Sequence, residues 1–250
     1  MDRLLYTAMT GASGTMNRQA AVAHNLSNVS TLGYRAEEHR LRAVQVQTHN
    51  QPPALPTRAF AVDASTHTDY TTGPIMQTNR QLDVAVQGGG WIAVTAPDGT
   101  EAYTRNGNLQ LDLNGVLQTR NGLNVVGDGG AIAVPPDQQV EIGRDGTVSI
   151  IPTTGLRTTS PVGRIKLVNP AEAELERRPD GLFRLRTGQP APLSENVRLS
   201  TGVLEGSNVS ATDQMVSMIS LARQFEMQIK MISNAETNDR AATQLLSHNG

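Results

Sequence analysis

Among the Asp-Gly and Asn-Gly pairs in the middle of this chain, six fall between alternating runs: Asp98-Gly99, Asn106-Gly107, Asn114-Gly115, Asn121-Gly122, Asp145-Gly146 and Asp180-Gly181. Such pairs tolerate the positive φ that a tight hairpin turn demands. Between them the side chains alternate with period two. Leu82, Val84 and Val86 alternate with Asp83, Ala85 and Gln87; Leu109, Leu111 and Leu113 with Asn108, Gln110 and Asp112; Phe183 and Leu185 with Arg184 and Arg186. A period of two marks half-buried strands. The turns and the alternation together commit residues 75–200 to an antiparallel β domain.

The two ends follow another period. Leu5, Met9, Ala12, Met16, Ala23 and Leu26 recur at spacings of four and three with one missed beat at Gln19, and Met215, Met218, Ala222, Phe225, Ile229 and Ile232 recur at three and four. Each set is a heptad seam on an amphipathic helix. The word SNVS closes the first helix at Ser27–Ser30 and opens the second at Ser207–Ser210. Near the exit, Asn and Ser side chains can bond freed backbone groups, with Gly33 available for a left-handed backbone. At the entrance, Ser210 followed by Asp213 resembles a capping box. The expected fold is α+β: N- and C-terminal helices pairing as a coiled-coil layer, with a central antiparallel all-β domain. The expected divisions are an N-terminal helix at 1–33, an extended connector at 34–74, the β domain at 75–200 and a C-terminal helix at 201–250. Within the connector Pro52, Pro53 and Pro56 interrupt any period, leaving one short strand at Leu41–Val46.

Composition narrows the function. Only 3% of the residues are aromatic, and 23 glycines and 13 prolines signal many turns and a lean core. A formal charge of −2 supplies no electrostatic footprint for nucleic acid or an anionic membrane, so neither is an expected partner. No cysteine is present, which removes disulfides, thiolate metal sites and a cysteine nucleophile together. The start lacks the apolar run of a secretory signal, and no stretch approaches the ~18 apolar residues of a membrane span.

The seams alone bury too little to hold two isolated helices against the entropy of ordering them. Leu4, Val22, Val216, Ile219 and Leu221 lie off the seams and need further neighbours. The economical expectation is that copies stack their terminal helices into a shared layer, coupling the folding of the ends to assembly. Six methionines in these zones, Met9, Met16, Met215, Met218, Met227 and Met231, suit surfaces that pack against several different neighbours.

Four stretches carry a family likeness: NLSNVSTLGYR at the first exit, TTGPIMQTNRQLDVAVQGGGWIAV at Thr71–Val94, YTRNGNLQLDLNGVLQTRNG at Tyr103–Gly122, and GVLEGSNVSATDQMVSMISLARQFEMQIK at Gly202–Lys230. In this order they resemble the axial proteins of the bacterial flagellum, the rod and hook subunits. The opening MDRLLYTAM, Gly206 and Arg223–Lys230 resemble the proximal rod subunits, with the distal rod or hook subunits as alternatives. Departures from the family pattern occur at Leu32 and at Gly88–Gly90 and concern turn chemistry. The resemblance implies a non-enzymatic structural subunit, exported without a cleaved signal by the flagellar type III apparatus and assembling in the periplasm with copies of itself and other rod proteins. It implies that the helix seams are assembly interfaces, that Ser30 and Ser210 cap the helices, and that Asn25, Asn28, Thr31, Gly33, Glu205 and Asn208 form the junction. It implies no cofactor. Absence of thiols then suits a chain threaded unfolded into an oxidising space.

Other chemistry has little support. His24, His39, His49, His67 and His248 stand singly, without metal-ligand spacing. Gly88–Gly90 is followed by strand pattern where a phosphate-binding turn needs a helix, and GASG at Gly11–Gly14 lacks the nucleophile-elbow pattern. Glu172, Glu174 and Glu176 would be the only acids for a glycan-cleaving enzyme, and they read as a solvated edge. Asn25, Asn28 and Asn208 begin N-x-Ser triplets that read as caps. Trp91, the only tryptophan, reads as a core anchor. A soluble β binding module with helical appendages is a third reading, distinguished by a monomeric chain with a ligand-sized cleft.

Overall fold

Helix α1 (Asp2–Ser27) and helix α2 (Ala211–His248) are the two α-helices of the computed structural model, which describes residues 2–45, 59–136, 138–152 and 158–248. The chain separates into two units, one of Met1–Val29, Ala36–Asp69 and Val209–Gly250, the other of Ser30–Arg35 and Tyr70–Asn208. All strand pairings are antiparallel among the described residues, so the chain is α+β with a central antiparallel β region.

In the first unit α1 and α2 pack against one another, and α1 also packs on a ribbon of two long strands, Glu37–Gln45 and Ala59–Thr68. The ribbon is more than the one short strand expected from sequence. Its strands carry mixed polar and apolar side chains that show no sustained period, and a bulge between Arg40 and Leu41 shifts the register and breaks the alternation further. Pro52, Pro53, Pro56 and Val46 lie outside the described residues, as does His49.

The covered stripes of the helices are rotated from the expected seams. On α1 the covered positions are Leu5, Ala8, Ala12, Thr15, Gln19, Val22 and Leu26, while Met9, Met16 and Ala23 are exposed. On α2 they are Gln214, Met218, Leu221, Phe225, Gln228 and Ile232, with Ala222 half-buried and Met215 and Ile229 exposed. Both stripes keep the 3–4 spacing. They share Leu5, Ala12, Leu26, Met218, Phe225 and Ile232 with the expectation, Gln19 fills the missed beat, and at the six other expected positions the covered residue is the one before. Leu221, read from sequence as an off-seam residue left exposed in a lone helix pair, is only 3% exposed, the most covered hydrophobic side chain of α2 among the described residues. The cause is the small residues of α1. A Cβ on Gly11 would stand 3.1 Å from Gln228 Nε2, and one on Gly14 would stand 2.9 Å from Leu41 Cδ1. Close approach of α2 and the ribbon therefore selects Ala, Gly and Thr for the inside and turns the bulky thioethers out.

The second unit is a set of small sheets around one main core. Five strands run in the spatial order Leu167–Val168, Trp91–Thr95, Glu101–Thr104, Phe183–Leu185, Leu175–Arg177. Three more form a sheet of Gln138–Ile142, Thr147–Pro152 and Ser160–Arg164, and Arg198–Thr201 pairs with Val84–Gln87. Val84, Ile92, Val94, Leu109, Leu117, Val125, Val148 and Leu199 fill the main core. Trp91, Tyr103, Val168, Leu175 and Phe183 make a second cluster, so Trp91 is the core anchor that the sequence suggested. The Tyr103 hydroxyl donates to Glu101 Oε1 at 3.0 Å and accepts the Ala191 N–H at 2.6 Å. Burial above all pushes its pKa up to about 12.

Five of the six turn pairs behave as expected, with φ between +78° and +86° at Gly99, Gly115, Gly122, Gly146 and Gly181. Asn106-Gly107 is different. Gly107 has no left-handed backbone; it is glycine because a Cβ would lie 1.8 Å from the Val84 carbonyl oxygen. Leu113, expected on the inner face of a strand, sits exposed at the tip of the Asn114-Gly115 hairpin, because Leu109–Leu111 ends two residues earlier.

Aspartates organise three of the turns. Asp98 accepts the Thr100 hydroxyl at 2.6 Å and the Thr100 N–H at 3.0 Å, and the Thr100 contacts with help from Arg178 lower its pKa from 3.8 to about 2. The Val116 N–H lowers Asp112, and the Thr147 hydroxyl lowers Asp145. For a carboxylate depressed on folding, the stabilisation is fully present above the unfolded value near 3.8 and is lost as pH falls through the folded value. The β region is therefore expected to keep the Asp98 turn to about pH 2. Side-chain carboxyl NMR titration checks this: midpoints at 3.8 for all three aspartates would contradict the turn geometry.

Candidate functional site

The most heavily buried polar cluster of the second unit surrounds Glu205. Its carboxylate is fully buried, with Oε1 2.6 Å from Arg35 Nη2 and Oε2 3.1 Å from Arg105 Nη1. Oε1 also accepts the Gly73 N–H at 3.1 Å. Arg105 is held further by the carbonyls of Val86 at 3.2 Å and Gly88 at 2.5 Å, and its guanidinium lies 5.4 Å from the centre of the Trp91 ring. Burial pushes the Arg105 pKa down; the Glu205 carboxylate opposes this and the Arg35 charge adds to it. An arginine keeps its proton under such a shift, so one carboxylate faces two cations.

Local sequence explains how these groups meet. The strand Val203–Glu205 pairs with Ile75–Gln77, which puts Glu205 opposite Ile75 and beside Gly73. Gly33, at φ +67°, lets the strap Ser30–Arg35 pass against the backbone of Arg105, where a Cβ would stand 2.4 Å from the Arg105 carbonyl carbon. The Gly33 N–H donates to the Glu205 carbonyl at 2.9 Å, and the Asn208 N–H donates to the Tyr34 carbonyl at 3.3 Å. Asn208 also donates from Nδ2 to the Thr71 carbonyl at 3.2 Å. From the other side, Arg177 stacks over the Tyr34 ring at 4.5 Å and donates to the Arg35 carbonyl at 2.6 Å.

Of the junction residues named from sequence, Gly33, Glu205 and Asn208 meet in this cluster, while Thr31 lies exposed on the strap, as does Ser30. In the first unit Asn25 is buried and bonds the Glu37 backbone both ways, donating from Nδ2 at 2.8 Å and accepting at Oδ1 at 2.9 Å. Asn28 donates from Nδ2 to the His24 carbonyl at 2.9 Å, and Ser210 accepts the Asp213 N–H at 3.4 Å at the start of α2. Sequence reasoning missed Arg35, Arg105 and Arg177. The available signal was a long-range one: a glutamate inside an apolar strand has to find a cation, but its position says nothing of which.

Of the other motifs, Glu172–Glu174 form an exposed 3-10 turn, and Glu176 is ion-paired with Arg184 at 3.1 Å. Gly88–Gly90 is a turn between strands, with φ of +66° at Gly88 and +124° at Gly90. No group of three or more His, Asp or Glu among the described residues is placed to hold a metal ion. No helix among them is long and apolar enough to cross a membrane.

Known proteins match this sequence from end to end. The chain is 45% identical over 254 residues to the flagellar basal-body rod protein FlgF of Escherichia coli (strain K12), with 99% of each chain covered. It is 44% identical to FlgF of Salmonella typhimurium, again over 99% of each chain. The chain belongs to the FlgF family of flagellar basal-body rod proteins.

Three family models tile the FlgF-type chain: a flagella basal body rod protein model at residues 5–35, a flagellar hook protein FlgE/F/G D1 domain at 85–150, and a flagellar basal body rod FlgEFG protein C-terminal model at 200–245. FlgG of Bacillus subtilis is 30% identical over 260 residues, covering 94% of this chain and 96% of its own. The first and third models span the strap and the Glu205 strand, so both halves of the buried cluster lie in segments that define the family. As a FlgF-family member the protein is a structural component of the flagellar basal body, and its setting is motility.

Proposed function

We propose that the protein is a proximal rod subunit that assembles, through its terminal helices, with copies of itself and with other rod proteins such as FlgG-type subunits, into the tubular drive shaft. The observation carrying this reading is the outer face of the helices in the first unit. Met9 and Met16 on α1 are 50% and 57% exposed, and Met215, Ile219 and Ile229 on α2 are exposed as well. Bulky apolar side chains repeatedly exposed along two helices, on a chain of low net charge, support an association surface. The covered stripe and the outer stripe together give each helix two apolar sides, which is what a helix needs to pair within its own subunit and with neighbours as a coiled-coil layer. Residues 1–33 and 201–250 would then act as the assembly domain and 75–200 as the outer wall, joined through 34–74.

In this reading the subunit performs no catalysis. It reaches the periplasm through the flagellar export apparatus without a cleaved signal, and the absence of cysteine supports passage of an unfolded chain into an oxidising space. The test is Met16→Asp and Ile229→Asp in the full chain. Both side chains point outward, so helix content by circular dichroism is expected to match the parent. Motility and incorporation into isolated basal bodies are expected to be lost. Normal swimming and normal rod content in both variants would defeat the proposal.

A further inference from the structure

We propose that Glu205 is a latch with two settings: its carboxylate seats the Ser30–Arg35 strap and the Gly206–Asn208 segment that follows its own strand on the β region together, and without that charge both release together while the sheets stay folded. The inference rests on geometry within the second unit and is independent of the assembly role proposed above.

The carboxylate joins three chain segments far apart in sequence. Oε1 serves Arg35 and the Gly73 N–H, and Oε2 serves Arg105. The strap's apolar burial is limited: Tyr34 is its one large buried apolar side chain, Leu32 is half-buried, and Ser30 and Thr31 are exposed. The strap is also held by backbone contacts of Gly33 to Glu205 and of Tyr34 to Asn208, and by Arg177, which contacts the Arg35 carbonyl and the Tyr34 ring. Removing the carboxylate leaves two buried guanidinium groups facing each other without a counter-charge. Keeping an unpaired cation buried costs more than exposing one tyrosine ring to water, and the freed backbone groups regain hydrogen bonds from solvent. Release of the strap is therefore the cheaper response. The main core of Val84, Leu109, Leu117 and their neighbours has no member in the strap, so it has no reason to follow.

Because Arg35 and Glu205 stand 170 positions apart, the latch also closes late: the strap cannot seat until the Val203–Glu205 strand has been laid beside Ile75–Gln77.

Hydrogen exchange on the full-length chain tests this at single amides. In Glu205→Gln, the amides of Gly33 and Asn208, neither of which bonds the carboxylate, are expected to exchange at least about tenfold faster, together with that of Gly73. The amides of Val84, Leu109 and Leu117 are expected to keep their protection. A second variant, Arg177→Ala, leaves the ion cluster intact but removes the outer support of Tyr34 and Arg35. It is expected to accelerate Gly33 and Asn208 while sparing Gly73. The latch is overturned if Glu205→Gln accelerates Gly73 alone. It is overturned equally if all amides of the β region accelerate in step, or if Arg177→Ala accelerates Gly73 as much as Gly33.

Discussion

Gly107→Ala is expected to destabilise the β region by roughly 4 kcal/mol or more, the range reserved for backbone and packing violations that cannot relax. The added Cβ would stand 1.8 Å from the Val84 carbonyl oxygen and 2.7 Å from its carbon. No rotamer relieves a clash with backbone, and the two segments are tied at that point by the Val84 N–H donating to the Gly107 carbonyl at 3.0 Å. Val84 is itself fully buried at the centre of the main core, so moving it opens the core. The proper control is Gly122→Ala. That glycine has φ +82° and nothing within 4 Å of its Cβ position, so only the left-handed backbone is penalised, at about 1 to 2 kcal/mol. Urea unfolding followed by the fluorescence of Trp91, the only tryptophan, measures both. Equal losses in the two variants would show that the close approach of residues 84 and 107 is not what glycine serves here.

Phe183→Ala is expected to cost about 3–5 kcal/mol by the same measurement. The ring is 2% exposed, lies 4.5 Å from the Trp91 ring centre at a tilt of 45° and 5.9 Å from that of Tyr70, and faces Tyr103 across the strands. A chain with only three phenylalanines and one tryptophan has no spare aromatic to fill the space. The cavity would open beside the indole, so the native emission of Trp91 is expected to shift along with the midpoint. Phe183→Leu, which keeps most of the volume, is expected to lose less than about 2 kcal/mol. A loss below about 1 kcal/mol for Phe183→Ala would mean that this second cluster is loosely packed.

On the proposed assembly role, the positions that serve assembly and those that serve stability are expected to separate. The positions whose loss is expected to unfold it, Gly107 and Phe183, lie in the β unit, whereas Met16 and Ile229 are on the outer faces of the helices and are expected to be silent until neighbours arrive. The strap is a third kind of position, where a change of one charge is expected to loosen two segments without melting the sheets.

The local rules were legible in the sequence. The Asx-Gly pairs and alternating side chains located the hairpins at Gly99, Gly115, Gly122, Gly146 and Gly181, because a turn is a property of two adjacent residues. The 3–4 spacing located both helices, because periodicity is a property of one segment. Tertiary structure alone decided which of two overlapping heptads faces inward, since Ala8 and Met9 are both apolar and only the proximity of α2 and the ribbon favours the smaller one. It also decided that Gly107 serves a close approach while its neighbours in the series serve turns, and that the Glu205 carboxylate meets Arg35 and Arg105. Each of those outcomes depends on which distant segment arrives alongside, and one-dimensional spacing carries no record of that.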